Sequence, residues 1–179
     1  PDVLPTGRNF YSVDTRTVPT PAAWTLGWTS AALLIERYMQ DNGAWPETMA
    51  LSAWGTSNMR TGGDDIAQAL ALMGVRPTWD SASRRVTGFE IMPLDLLDRP
   101  RVDVTLRISG FFRDAFPVLI DLFDSAVRAV AALDEPDDMN AIAARVRAEK
   151  ERLIADGASE KDADLRAGFR VFGSKPGAY

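Results

Sequence analysis

The sequence predicts an α/β fold: a mostly parallel sheet of about four to five strands with flanking helices, followed by a helical C-terminal segment. Three observations carry that prediction. Short apolar runs alternate with segments of helical periodicity, the runs end abruptly at glycine, and the loops after them open helices. With 179 residues, 46% hydrophobic and 25% charged, the chain is long enough to bury an ordinary core.

Residues 1–18 lack any strand or helix period and read as an irregular opening segment. Thr20-Pro21 then reads as an N-cap followed by proline at the first helical position, and Gly43 as the stop of a long helix. Trp24, Trp28, Ala31, Ile35 and Met39 recur at helical spacing and mark its buried stripe. Met49 to Trp54 is a mostly apolar run suited to a buried parallel strand. From Gly55 to Asp64 the chain reads as a polar loop, and Ile66, Leu70 and Met73 mark a helix ended by Gly74.

Val75–Trp79, Val86–Met92 and Val102–Ile108 supply three more strands, separated by the turn formers Asp80-Ser81-Ala82-Ser83 and Asp98-Arg99-Pro100. A helix is predicted from near Arg113, tolerating Pro117 in its first turn and burying Phe116, Ile120, Phe123, Val127 and Val130. Residues 19–136 thus form the α/β part. Residues 137–179 form a helical extension: Ile142, Val146 and Leu153 give one stripe, Ser159-Glu160-Lys161-Asp162 resembles a capping box, and Phe169–Phe172 fits a short strand before a final loop.

Composition excludes several chemistries. Without cysteine there is neither disulfide nor thiolate metal site, and without histidine the commonest metal ligand and general base is missing, so a nucleophilic triad fails. The net charge of −5 argues against a nucleic-acid surface. No apolar run approaches the ~20 residues of a membrane helix, which leads to the expectation of a soluble, cytoplasmic protein. The opening Pro1 and the closing Gly177-Ala178-Tyr179 read as the cut ends of a fragment. All but three of the 20 basic residues are Arg, the exceptions being Lys150, Lys161 and Lys175. Arginine is the better fork for carboxylates and phosphates, although a GC-rich genome produces the same bias.

In open α/β sheets, ligands bind outside the carboxyl ends of the strands. Two loops occupy such positions: Gly55 to Asp65, and Ser109-Gly110-Phe111-Phe112-Arg113-Asp114. If their strands are neighbours, Thr56, Arg60, Ser109 and Arg113 converge on one crevice suited to an anionic group. The alternative is that the glycines serve tight turns and the aspartates favour helix starts. The first loop lacks the Lys of a nucleotide-binding P-loop, and no strand is followed by G-x-G-x-x-G. The carboxylates around Pro136 could chelate a hard cation, or form an acidic linker between helices.

The strings themselves are more specific than their spacing. Leu4-Pro5-Thr6-Gly7-Arg8-Asn9-Phe10-Tyr11-Ser12-Val13-Asp14, Pro46-Glu47-Thr48 and Trp54-Gly55-Thr56-Ser57-Asn58-Met59-Arg60-Thr61 resemble consecutive motifs of the large subunit shared by cobalt and magnesium chelatases. Leu72 to Pro77, Arg99 to Val104, Ser109 to Pro117 and Asp134-Glu135-Pro136 continue the order. Phe172-Gly173-Ser174-Lys175-Pro176-Gly177-Ala178-Tyr179 and Phe10-Tyr11-Ser12 are similar to the cobalt branch. Thr15, where Pro is usual, and the stretch after Met139-Asn140 depart from the pattern.

The resemblance implies ATP-dependent insertion of Co²⁺, as substrate, into the corrin hydrogenobyrinic acid a,c-diamide during aerobic cobalamin synthesis. It implies an AAA+ ATPase partner that holds ATP and Mg²⁺, a companion with an integrin-I-like domain, and a much longer large subunit of which this chain is part. No cofactor is expected on the chain itself, its catalytic and metal-delivering residues are expected elsewhere, and alone it should be inactive. The corrin's carboxylates suit arginine, so Arg8, Asn9, Thr56, Asn58, Arg60, Ser109 and Arg113 are the candidate substrate-binding residues. The same residues could instead form an interface with the remainder of the large subunit, a purely structural and docking role. Arg99 and Arg101 lean toward structure.

Overall fold

The computed structural model describes residues 13–177, so Arg8 and Asn9 lie outside the described residues. After a single 3-10 turn at Thr15–Thr17, the chain enters α1 (Pro21–Asn42). Thr20 Oγ1 accepts from the Ala23 N–H at 3.1 Å, Pro21 opens the helix, and Gly43 ends it in the left-handed region. The fully buried stripe is Ala23, Gly27, Ala31 and Ile35, with Trp24 and Trp28 flanking it at 5.7 Å between ring centroids. Small residues form this seam because α1 lies directly on α3 (Asp64–Met73). A Cβ on Gly27 would sit 2.5 Å from the Gln68 backbone nitrogen.

Strand β1 (Thr48–Ala53) leads into α2 (Gly55–Thr61), a two-turn helix where the sequence suggested a loop. Of its residues only Thr56 and Arg60 are exposed, while Gly55 and Asn58 are buried. Its polar side chains close back on the helix, as when Thr61 Oγ1 donates to the Ser57 carbonyl. Helix α3 is apolar from Ile66 to Met73 apart from Gln68, which bonds to Ser30 of α1, because it is sandwiched between α1 and the sheet.

Strands β2 (Val75–Trp79) and β3 (Val86–Ile91) pair antiparallel in a hairpin of their own, since the short turn at Asp80–Arg85 leaves no room for a crossover. After the single turn α4 (Leu94–Leu97) comes β4 (Asp103–Ile108), which lies parallel to β1 in the register Thr48↔Asp103 to Ala53↔Ile108. The chain continues through α5 (Gly110–Ala115), α6 (Pro117–Ala131), α7 (Ala141–Ala155) and α8 (Glu160–Ala167). It then returns as β5 (Val171–Gly173), parallel to β4. The fold is therefore mixed α/β: three parallel strands in the order β1-β4-β5, a separate antiparallel pair, and helices around them. The single helix expected around Pro117 is two, broken at Phe116, with Pro117 opening α6 where it has no N–H to lose.

Met49, Leu51, Ala53, Val104, Leu106, Ile108 and Val171 face the main core with α3, Phe112, Phe116 and Phe123. Burying each such large side chain contributes about 1.5–3 kcal/mol. The strand residues of opposite parity, Thr48, Ala50, Ser52, Arg107 and Phe172, are exposed.

The C-terminus of α3 is held by a buried arginine hub. Arg99 donates to the carbonyls of Ala71 (2.6 Å) and Leu72 (3.0 Å), and Arg101 to those of Met73 (3.1 Å), Gly74 (3.3 Å) and Met92 (2.8 Å). Those of Ala71, Leu72 and Met73 are carbonyls that the helix end leaves without intrahelical partners. Arg101, 1% exposed, also forks onto Glu135 at 2.7 and 2.8 Å. Asn140 joins through its amide nitrogen to Glu135 and the Val130 carbonyl, while its side-chain oxygen caps α7. Burial, with Arg101 adding repulsion, pulls Arg99 down to about 10, and the Arg101 fork holds Glu135 below its ordinary value. The leaning of Arg99 and Arg101 toward structure, read from sequence, agrees with these bonds. The acidic stretch around Pro136 contributes Glu135 to the hub. Among the described residues, no cluster of carboxylates is arranged to hold a metal ion.

Candidate substrate cleft

Because β1 and β4 are parallel neighbours, the two loops singled out in the sequence lie side by side at their carboxyl ends. Ser109 joins them. Its hydroxyl accepts from the N–H of Phe112 at 3.1 Å, capping α5, and from the N–H of Gly55 at 3.2 Å, at the start of α2. Its own N–H donates to the Ala53 carbonyl. Gly55 is required by this approach: a Cβ there would lie 2.5 Å from the Phe111 ring and 2.9 Å from the Phe112 nitrogen. The two backbone donors are thus taken up by Ser109 and are not presented to a ligand.

Beside this junction is a cleft of about 700 Å³, lined by Ser52, Trp54, Thr56, Arg107, Phe111 and the start of the segment after β5. Trp54 (61% exposed), Phe111 (44%) and Phe172 (53%) surround it. Of the residues named from sequence, Thr56 and Ser109 line the cleft. Asn58 lies beneath it, fully buried, with its amide donating to the Trp54 carbonyl at 2.9 Å and to Asp65 at 3.2 Å. Its oxygen is buried without a partner among the described residues. Burial, and then the neighbouring Asp64, raise the Asp65 carboxyl above its ordinary value.

Arg60 is exposed on α2 away from the lining, and Arg113 sits on α5. Arg113 pairs with Asp114 and donates to the Ser174 carbonyl at 2.7 Å, tying α5 to the segment after β5. Three of the seven candidates, Asn58, Ser109 and Arg113, therefore brace the cleft through bonds of their own, Ser109 while also lining it.

Sequence reasoning missed Trp54, Arg107, Phe111 and Phe172. Strand alternation was the available signal for Arg107 and Phe172. Both fall on the side opposite Leu106, Ile108 and Val171, and they stand opposite each other in register.

The geometry can accommodate a flat apolar face between aromatic rings, with a guanidinium placed to meet a carboxylate. Among the described residues, no helix is long and apolar enough to cross a membrane.

The sequence profile of the CobN/Magnesium Chelatase family matches residues 1–179. The aerobic cobaltochelatase subunit CobN of Sinorhizobium sp is 70% identical over 179 residues, 100% of this chain and 14% of that protein. The chloroplastic magnesium-chelatase subunit ChlH of Oryza sativa subsp. japonica is 41% identical over 180 residues, 100% of this chain and 12% of that protein. The solved structure of the catalytic subunit of cobaltochelatase from Mycobacterium tuberculosis matches with a TM-score of 0.89. Its identity is 53%, covering 98% of this chain and 14% of that one. The chain thus spans about one-seventh of the cobalt-type relatives' length, and with its whole length matched it belongs to the CobN/magnesium chelatase family.

Proposed function

We propose that the chain is part of the large subunit of a cytoplasmic cobaltochelatase that inserts Co²⁺ into hydrogenobyrinic acid a,c-diamide, and that its strand-end cleft receives part of that corrin. The cobalt branch is favoured by identity, 70% to the Sinorhizobium CobN against 41% to the rice ChlH. The observation that carries the substrate assignment is the cleft itself, in which Trp54 and Phe111 stand exposed beside Arg107. Exposed aromatic rings next to a cation are uncommon on a surface facing only water, and they match a large planar ligand edged with carboxylates.

Thr56 and Ser109 lie at the cleft's inner wall, within reach of amide or carboxylate side arms. Asn58 and Arg113 set the positions of α2 and α5. Metal delivery and ATP hydrolysis fall to residues outside this chain, the latter to an AAA+ partner holding ATP and Mg²⁺, with the integrin-I-like companion completing the complex.

The test is titration of the full-length large subunit with hydrogenobyrinic acid a,c-diamide, followed by corrin absorbance, beside Trp54→Ala and Arg107→Ala. Saturable binding weakened about tenfold or more by either variant supports the cleft. Binding unchanged in both variants removes the corrin from it and leaves a scaffolding role.

A further inference from the structure

Among the described residues, the parallel sheet is finished on one face only. Toward α3 it is packed with apolar side chains, whereas Thr48, Ala50, Ser52, Arg107 and Phe172 stand exposed on the other face and Thr105 is half-buried. Among the described residues, only the lower end of that face is shielded, where Asp103 is buried against Arg170 at 2.6 Å beside α7 and α8. A second cleft of about 670 Å³ lies there, lined by Thr48, Thr105, Arg145, Arg152 and Arg166. This trough meets the strand-end cleft at Phe172, which lines both.

Parallel sheets occur almost only with both faces covered, so a bare face marks an incomplete layer. The trough's lining carries Arg145, Arg152, Arg166 and Arg170 beside Asp103 and Glu149, although the chain's net charge is −5. Arg170 is forked onto Asp103, and Arg152 is held by Glu149 and Asp156. Arg145 has one 3.2 Å contact with Glu47, and Arg166 has no ion pair among the described residues. Arg152 foremost, then Arg166 and Arg170, hold the Glu149 carboxyl below its ordinary value.

The matched CobN relative has most of its length outside the region this chain spans, which is 14% of it. We infer that the trough is the docking surface for another segment of the same large subunit. Apolar side chains of that segment cover Ala50 and Phe172, and its carboxylates meet Arg145 and Arg166. Phe172 is common to this surface and to the Trp54–Phe111 cleft assigned to the corrin, and the inference stands whether or not the corrin binds there.

The experiment uses the full-length large subunit with Thr48→Cys or Ala50→Cys, modified by a maleimide and read by peptide-resolved mass spectrometry. Under native conditions both positions should react about 100-fold more slowly than in denaturant, without corrin and independently of protein concentration. Adding Arg166→Glu to Ala50→Cys should speed its modification about tenfold by repelling the docked carboxylates. Native reaction within about tenfold of the denatured rate overturns the inference. Protection that grows with protein concentration overturns it in favour of a second copy, and protection that needs added corrin overturns it in favour of a ligand. An unchanged rate with Arg166→Glu overturns the charge pairing. Corrin absorbance on the unsubstituted subunit reports separately on the substrate proposal.

Discussion

The arginine hub and the strand-end cleft use the same residue types for opposite ends. In the hub, Arg99 and Arg101 are enclosed and their donors are matched to the carbonyls at the end of α3 and to that of Met92. In the cleft, Arg107 is exposed at the end of β4, beside rings that are exposed as well. The hub shows what an arginine does when the fold supplies every acceptor. The cleft shows polar and aromatic groups for which the fold of these residues supplies few. Loss of a hub residue should therefore appear as loss of stability, and loss of a cleft residue as loss of ligand.

The largest effect expected is that of Arg101→Met, which keeps volume but strands Glu135 and the α3 carbonyls. It should lower stability by about 3–5 kcal/mol in urea unfolding, and adding Glu135→Gln should recover part of that. Gly55→Ala comes next, at about 1–3 kcal/mol, because its methyl would press on Phe111 and the Phe112 backbone and part the two loops. Ser109→Ala should cost about 1 kcal/mol through loss of the α5 cap and the bond to Gly55. Arg107→Ala should change stability by less than about 0.5 kcal/mol while weakening corrin binding. A destabilised, ligand-competent Arg107→Ala protein would break the contrast between the two regions.

The pH dependence is subtler and has opposite signs in the two regions. Glu135 is held below its ordinary 4.5, so its contribution is present above that value and is lost as pH falls through the lower folded one. Asp65 is raised above its ordinary 3.8, so its ionised form weakens the fold at neutral pH. Stability from this group returns as pH falls through the raised value toward 3.8. Asp65→Asn should remove that second component from a stability profile between neutral pH and pH 4 and leave the first in place.

Much of the architecture was legible in the chain. The Thr20-Pro21 start and Gly43 stop of α1, all five strand positions and the two tail helices rest on local signals of capping, period and breaking residues. The partition of the strands was less so, because pairing joins residues far apart: β5 reaches β4 from more than sixty positions away, as Leu106↔Val171 shows. The candidate site divides in the same way. Thr56 and Ser109 fall on the cleft lining because loops after adjacent parallel strands converge, but that Asn58 is buried and Arg113 tied to Ser174 depends on packing around them.

The sequence by itself determined the family, the fold class and the ends of α1, because each rests on residue identity and near-neighbour spacing. Only the tertiary structure decided which arginines are enclosed and which strand face is left open. Burial is a property of what lies opposite a side chain, and the residues that enclose Arg101, from Met73 to Glu135, are distant from one another along the chain.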